Sequence, residues 1–222
     1  MREKYPGKVY VFAGVDPRRK EGVEIFETAV KEWGAVGYKP YPPNGYYADD
    51  PMLTPYYEKC IEYNVPVLLH AGGAGSTGLH KYAGPEPVGE FAVRFPDLKV
   101  IMGHANLTAR FESGHYWRAI QIATSVPNIY LELSDWQGSG ALEDRNIAQF
   151  WHVLDVMRNT IGAHKVLFGT DMPTRGRGYE RTRRWCQMFR NLPEEAAKYD
   201  VTFTEEEQEL ICHGNTERLL GI

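Results

Sequence analysis

The sequence predicts an α/β fold in which short parallel strands alternate with helices. Six apolar runs, rich in valine, isoleucine and leucine, are separated by segments whose apolar residues recur at every third or fourth position. Most runs are apolar throughout rather than alternating, which is typical of strands buried on both faces of a parallel sheet. Polar side chains suited to chemistry end several runs, and this placement favours a TIM-barrel-like fold over an open sheet. Because a closed barrel needs eight strands, we expect an incomplete barrel with about six of its eight βα units. The predicted strands are residues 8–15, 35–40, 65–70, 99–104, 128–134 and 165–169.

Turn and capping residues mark the limits of these elements. Pro17 follows the first run and cannot continue it, because proline lacks the N–H that a strand ladder needs, and Gly34 stops the first helix. A glycine-rich loop, 71–78, follows the third strand. Thr204 and Glu207 have the spacing of a capping box, which predicts a helix N-terminus at that point. The predicted helices are residues 21–33, 54–64, 86–95, 108–126, 146–161, 178–191 and 204–220.

The glycine-rich loop 71–78 does not have the pattern of a phosphate-binding loop. It follows His70 and contains no Lys-Ser or Lys-Thr pair. No glycine fingerprint follows the first predicted strand, where open nucleotide-binding sheets carry one. These features argue against an open nucleotide-binding fold.

Composition narrows the class of protein further. The 222 residues can bury a substantial core, and we expect residues 1–222 to form a single domain. The formal charge of −4 argues against binding to nucleic acid or to an anionic membrane. We expect no membrane span, because no apolar run approaches the roughly 18 residues that a span needs. We expect no signal peptide, because the N-terminal residues 1–6 carry charges but no apolar segment. Cys60, Cys186 and Cys212 form no Cys-x-x-Cys pair, so we expect a reducing, cytoplasmic location.

Three strand ends carry side chains that can bind a metal. His70 and His104 end the third and fourth predicted strands, and Asp171 follows the sixth. Parallel strands bring their C-terminal ends to one rim, so we expect these three side chains to meet there. Imidazole nitrogens and a carboxylate oxygen suit a catalytic zinc, manganese or iron ion. The sequence therefore predicts a site for a divalent metal ion, with zinc as the preferred ion and manganese or iron as alternatives. We expect this site to act on a small-molecule substrate.

Six segments, taken in order, form a recognisable set of motifs. They are Gly-Val-Asp-Pro-Arg-Arg (14–19), Val-Gly-Tyr-Lys-Pro-Tyr-Pro-Pro-Asn-Gly-Tyr (36–46), Val-Pro-Val-Leu-Leu-His (65–70), Phe-Pro-Asp-Leu-Lys-Val-Ile-Met-Gly-His-Ala (95–105), Val-Leu-Phe-Gly-Thr-Asp-Met-Pro (166–173) and Gly-Asn-Thr-Glu-Arg-Leu-Leu (214–220). Together they resemble the amidohydrolase-related branch of the amidohydrolase superfamily, the branch that includes aminocarboxymuconate-semialdehyde decarboxylase. The resemblance runs from about residue 8 to the end of the chain. It is specific to the family and not to a substrate.

The resemblance implies a TIM barrel with a divalent metal at its mouth. His70 matches a histidine that binds the metal, and Asp171 matches an aspartate that touches the metal and its water. His104 matches a histidine that binds a second metal in binuclear members and polarises the substrate in mononuclear ones. Lys39 lies near the position of a carboxylated lysine in binuclear members, although this branch often carries the lysine without a metal bridge. Glu132 and Asp135 are expected to orient other groups of the site.

The chain departs from this family in one respect. Members carry a His-x-His pair on the first strand that supplies two metal ligands, and this chain has no such pair. The resemblance then implies that the first two strand–helix units are absent. His80 or His115 could complete the ligand set from a loop, although loop histidines are usually solvated polar residues. Open strands at both ends of such a sheet favour pairing with another chain, so we expect a homo-oligomer. The histidines are His70, His80, His104, His115, His152, His164 and His213.

The expected activity is that of a metal-dependent hydrolase that cleaves a C–O or C–N bond with metal-activated water. Asp171 would take the proton from that water, and His104 would stabilise the developing oxyanion. One alternative is a non-oxidative decarboxylase of an unsaturated or aromatic acid, and another is a non-catalytic partial barrel that acts as a binding or assembly subunit. Five arginines beyond Asp171 either form a solvated helix face or steer a carboxylate substrate into the mouth. They are Arg175, Arg177, Arg181, Arg183 and Arg184.

Overall fold

The computed structural model describes residues 4–75, 78–108, 110–171 and 178–222, and a six-stranded parallel sheet lies at its centre. Its strands are β1 (Phe12–Ala13), β2 (Gly37–Tyr38), β3 (Val67–His70), β4 (Val100–Gly103), β5 (Ile129–Glu132) and β6 (Val166–Leu167). Each strand pairs in parallel with the strand that precedes it in the sequence. Open doubly wound sheets reverse their strand order at a switch point, whereas a barrel lays its strands down in sequence order. The strand order therefore confirms the predicted barrel-like α/β fold.

The six strands lie where the sequence predicts them but are shorter than predicted. β3, β4 and β5 contain four residues each, whereas β1 retains two residues of the predicted run 8–15. β1 pairs only with β2, and β6 pairs only with β5. Within the described ranges, no further strand covers the outer edge of either, so the sheet is open between β1 and β6.

Helices follow the strands, and two predicted helices differ in extent from the observed ones. The predicted helix 108–126 is wrong at its start, because Phe111–Ser113 form a 3-10 turn and Gly114 has a left-handed φ of 69°. The predicted helix 204–220 contains a π turn at Leu210–Gly214. None of the described helices combines the length and apolar character needed to cross a bilayer. The helices are α1 (Gly22–Lys31), α2 (Thr54–Glu62), α3 (Pro85–Arg94), α4 (Tyr116–Ser125), α5 (Ile147–Ile161), α6 (Gly178–Arg190), α7 (Leu192–Ala197), α8 (Glu205–Glu209) and α9 (Asn215–Leu220).

Side chains on the two faces of the sheet pack into different clusters. On one face, strand residues such as Val67 and Val100 join the helices in a large core. On the other, which we call the inner face, Ile101 and Leu167 form a smaller cluster with Leu219 of α9. This division follows from the alternation of side chains along each strand. The candidate site lies at the C-terminal ends of the strands.

The C-terminal segment fastens β6 to the rest of the fold. The Phe168 N–H donates to the Ile211 carbonyl within the π turn, at 3.0 Å. Asn215 is fully buried, and its Nδ2 donates to the carbonyls of Ala163 and Val166 at 2.8 and 2.9 Å. These bonds satisfy backbone groups next to a two-residue strand, which would otherwise be costly to bury.

The predicted capping box is confirmed at the start of this segment. The Glu207 N–H donates to Thr204 Oγ1 at 3.1 Å, and the Thr204 N–H donates to Glu207 Oε2 at 2.9 Å. The two bonds satisfy donors that the first turn of α8 leaves free.

Candidate active site

A cavity of about 830 Å³ lies at the C-terminal ends of the strands. His70 is the last residue of β3, Lys39 follows β2, and the turns after β4 and β6 carry His104 and Asp171. The structure brings all three residues with predicted metal-binding roles, His70, His104 and Asp171, to the wall of this one cavity. Its lining is Lys39, Tyr41, His70, Gly73, Ala74, Gly75, His80, His104, Leu107, Thr108, Arg110, Ser113, Asp135 and Asp171.

The two histidines are close neighbours because their strands are paired in register. His70 of β3 lies opposite Gly103 of β4, so His104 begins just beyond it. The imidazole rings meet edge to face, with centroids 4.7 Å apart. The loops after the two strands are also tied together, since the Gly73 N–H donates to the Leu107 carbonyl at 2.8 Å.

The hydrogen bond of His70 fixes which of its nitrogens carries the proton. Its Nε2 lies 3.0 Å from the Gly73 carbonyl, which can only accept a hydrogen bond. Nε2 is therefore the protonated nitrogen, and Nδ1 keeps a free lone pair. Burial, followed by the nearby His104 and Lys39, lowers the pKa of His70 to about 3. His70 is consequently neutral near pH 7, which is the form that binds a metal.

His104 begins a strained turn. Three consecutive residues, His104, Ala105 and Asn106, have left-handed φ values of 64°, 46° and 59°. This conformation costs about 1–2 kcal/mol for each residue that has a Cβ atom. Trp136 helps to hold the turn, because its Nε1–H donates to the His104 carbonyl at 2.9 Å. Such strain is concentrated at functional sites in proteins, and the turn is therefore a candidate for function.

A carboxylate and a hydroxyl lie behind His104. Glu132, the last residue of β5, accepts the His104 N–H at 3.1 Å and the Ser134 hydroxyl at 2.6 Å. Ser134 Oγ in turn lies 2.8 Å from His104 Nδ1. Glu132 is among the residues predicted from the sequence, whereas Ser134 is not. The available signal was the spacing of two residues between them at a strand end, which places both side chains on one face.

The cavity is lined by both basic and acidic side chains. Burial lowers the pKa of Lys39, although the carboxylates of Glu132 and Asp171 act in the opposite direction. Burial raises the pKa of Asp135, which lies near His104 and Asp171. Asp171 itself is exposed, and it has a left-handed φ of 47°.

The remaining predicted residues are distributed unevenly. His80 lines the cavity, whereas His115 contacts Thr108 at 3.3 Å and lines a neighbouring cleft. Arg181 and Arg184 donate to the backbone carbonyls of Gly138 and Leu142. Arg175 and Arg177 lie outside the described residues.

The donor chemistry suits a divalent cation, but the described residues do not complete a ligand set. His70 Nδ1 has a free lone pair, and Asp171 adds a carboxylate in the same cavity. Within the described residues, however, no three His, Cys, Asp or Glu side chains converge in the geometry of a metal site. A catalytic zinc ion usually has three protein ligands. The described chain therefore supplies donors for part of a coordination sphere.

Comparison with known proteins identifies the family. The amidohydrolase family model matches residues 1–222. A 2-keto-4-carboxy-3-hexenedioate hydratase from Sphingobium sp. is 21% identical over 226 residues, an alignment that covers 87% of this chain. The chain spans 59% of the length of that curated relative.

Solved structures share the fold. An uncharacterised TIM-barrel protein from Bordetella bronchiseptica has a TM-score of 0.70 and 23% identity, covering 99% of this chain and 69% of the other. A dihydroxybenzoic acid decarboxylase from Polaromonas sp., with bound manganese and the inhibitor 2-nitroresorcinol, has a TM-score of 0.62 and 20% identity. That match covers 99% of this chain and 71% of the decarboxylase. At these identities the likeness concerns the fold.

Proposed function

Because the chain belongs to the amidohydrolase family, we propose that its cavity is the catalytic site of a metal-dependent enzyme that acts on a small carboxylate substrate. The observation that carries this proposal is the pairing of His70 and His104 at 4.7 Å, at the ends of adjacent strands and in the same cavity as Asp171. The first reaction to test is hydrolysis of a C–O or C–N bond.

His70 Nδ1 and the Asp171 carboxylate are the proposed donors to a divalent cation, with His104 as a further candidate. Zinc suits imidazole and carboxylate donors, and manganese or iron would also suit them. Manganese is the ion bound in the Polaromonas decarboxylase. A cation held here would supply Lewis acidity to polarise a substrate oxygen.

The chain's own residues supply the proton transfers and the binding of the substrate. In its exposed position, the Asp171 carboxylate takes the proton of an attacking water. The proton that Asp171 takes from the water passes to the unprotonated ring nitrogen of His104, which then donates it to the developing oxyanion. Lys39 and Arg110 line the same cavity, and their N–H groups can donate hydrogen bonds to a substrate that carries a carboxylate.

Decarboxylation of an unsaturated or aromatic acid is the second candidate reaction. The N–H donors of Lys39 and Arg110 at the cavity wall favour it, because such a substrate presents a carboxylate. The names of a hydratase and a dihydroxybenzoic acid decarboxylase among similar proteins also support a test with unsaturated and aromatic acids.

Metal content and turnover should be measured together on the purified chain. We expect near-stoichiometric zinc, manganese or iron by plasma mass spectrometry, and loss of that metal in His70→Ala and Asp171→Ala. Turnover is then screened with esters, lactones and amides, and with unsaturated and aromatic acids in an assay for CO₂ release. His104→Asn should reduce kcat by about 100-fold or more, because it removes a proton-transfer group.

His152→Asn is the matched control, since His152 lies on α5, away from the cavity lining. It should leave both metal content and turnover unchanged. A wild-type chain that binds no metal after loading and turns over no substrate would contradict the proposal and favour a non-catalytic binding subunit.

We also propose that the chain self-associates. β1 and β6 have partners on one side only within the described ranges, and exposed strand edges favour pairing with another chain. Exposed apolar side chains at Tyr10 and Val11, next to β1, support the same proposal.

A further inference from the structure

We propose that Glu132 and Ser134 are positioning residues that dictate which ring nitrogen of His104 carries the proton. They would hold the neutral imidazole with its proton on Nδ1, so that Nε2 is left as a proton acceptor. The catalytic consequence rests on the proposed function. The position of the proton depends only on contacts within the chain.

The Ser134 hydroxyl has a single hydrogen to donate. Ser134 Oγ lies 2.6 Å from Glu132 Oε2, and an ionised carboxylate can only accept. The hydroxyl hydrogen is therefore used in the bond to Glu132. Ser134 Oγ has only lone pairs left for His104 Nδ1, which lies 2.8 Å away. His104 Nδ1 must then be the donor.

A second acceptor supports the same assignment. The Ser134 backbone carbonyl lies 3.3 Å from His104 Nδ1, and a carbonyl cannot donate. The opposite tautomer, with a bare Nδ1, would face this carbonyl without a hydrogen between them. It would also leave the hydroxyl with one hydrogen and two competing acceptors.

Two backbone N–H groups hold the Glu132 carboxylate in place. Its Oε1 accepts the Ser134 N–H at 2.9 Å, and its Oε2 accepts the His104 N–H at 3.1 Å. One carboxylate thus ties the end of β5 to the strained turn after β4. His104 and Ser134 are buried, which limits competition from water for these bonds.

Gly169 provides the space that Glu132 needs. A Cβ atom at position 169 would lie 1.5 Å from Glu132 Oε1, 2.7 Å from its Cδ and 3.0 Å from Ser134 Cβ, so it would crowd both Glu132 and Ser134. The substitution Gly169→Ala would therefore displace the carboxylate without altering any of the three residues in the bond chain. It offers an independent way to break the chain of bonds from the β6 side.

The ¹⁵N chemical shifts of the His104 ring test the proposal directly. Long-range ¹H–¹⁵N spectra of the metal-free, histidine-labelled protein are recorded at neutral pH, and the His104 signals are identified by their loss in His104→Asn. We expect a protonated Nδ1 and an unprotonated Nε2 in the wild type. In Ser134→Ala and Gly169→Ala the two signals should move towards each other as both tautomers become populated.

Two variants provide the controls. Ser134→Thr keeps the hydroxyl and should retain the wild-type signals. Ser139→Ala removes another buried serine hydroxyl from the same loop and should leave the His104 signals unchanged. A wild-type spectrum with a protonated Nε2, or identical spectra for Ser134→Ala and Ser134→Thr, would overturn the proposal.

Kinetics test the catalytic consequence separately. If the chain turns over a substrate, Ser134→Ala should lower kcat by about 10- to 100-fold, with KM changed much less, and Ser134→Thr should restore it. Absence of turnover in the wild type would count against the proposed function, while the spectra would still decide where the proton lies.

Discussion

At the scale of single residues, burial and one carbonyl determine the state of His70. The Gly73 carbonyl holds the proton on Nε2, and burial disfavours the charged imidazolium. A neutral ring with a free Nδ1 results, next to the edge of His104. Contacts within the chain therefore hold His70 in the neutral form, with an unprotonated Nδ1, that a metal ion requires.

The lowered pKa of His70 predicts a pH dependence of stability. In the unfolded chain the imidazole takes up a proton near its ordinary pKa of 6.5, whereas in the fold it does so only near pH 3. Between these values the unfolded state binds more protons, so the free energy of unfolding falls as the pH is lowered. Each pH unit within this window should cost up to about 1.4 kcal/mol from this residue.

Urea unfolding of the metal-free protein between pH 7.5 and 4.5 measures this effect. The variant His70→Gln keeps a side-chain N–H for the Gly73 carbonyl but cannot titrate, so its stability should fall less steeply below pH 6.5. Parallel curves for the wild type and His70→Gln would contradict the prediction.

At the scale of elements, two irregular segments adapt neighbouring parts of the fold to each other. The left-handed turn His104–Asn106 redirects the chain after β4, so that His104 faces the cavity. The π turn Leu210–Gly214 contains the carbonyl that receives the Phe168 N–H just beyond β6. Both segments depart from regular geometry at a place where they contact another element. Single π turns inside helices are often found at functional sites of proteins.

Asn215→Ala should loosen the junction between β6 and the C-terminal helices. The substitution removes both Nδ2 hydrogen bonds and leaves the Ala163 and Val166 carbonyls without that donor. An orphaned buried polar group costs about 1–3 kcal/mol, so we expect at least about 2 kcal/mol of destabilisation in urea unfolding. Asn159→Ala, at an exposed position of α5, is the control and should change stability by less than about 0.5 kcal/mol. Equal effects of the two substitutions would exclude the proposed role of Asn215.

At the scale of the whole molecule, the sheet is open. Within the described residues, its first and last strands each have one edge that pairs with no other strand. The six strands run in sequence order, but β1 and β6 are not paired with each other. The cavity lies at the C-terminal ends of these strands, the same end that carries His70, His104 and Asp171.

Self-association through the edge next to β1 is the prediction at this scale. Light scattering should give a mass above that of one 25.3 kDa chain at micromolar concentration. Val11→Lys should shift the population towards the monomer, because a charged side chain at a sheet edge opposes strand pairing. Val93→Lys, at an exposed position of α3, should have no such effect. A monomeric wild type, or equal responses of the two variants, would contradict this prediction.

The positions of the six strands, most of the helices and the capping box at Thr204 can be predicted from the amino-acid sequence alone. These features depend on apolar periodicity and on contacts between residues a few positions apart, which are written locally in the chain. The placement of His70, His104 and Asp171 at strand ends was also predictable, because parallel strands share one C-terminal rim.

The protonation states of His70 and His104, by contrast, depend on contacts that exist only in the folded chain. The proton position on His104 depends on Ser134 and Glu132, which lie about 30 residues further along the chain and meet it only because β4 and β5 are paired. The pKa of His70 depends on burial and on the nearby His104 and Lys39, which follow other strands. The start of α4 and the π turn likewise reflect contacts across the fold. Local patterns do not specify such contacts, because they join residues that only the folded chain brings together.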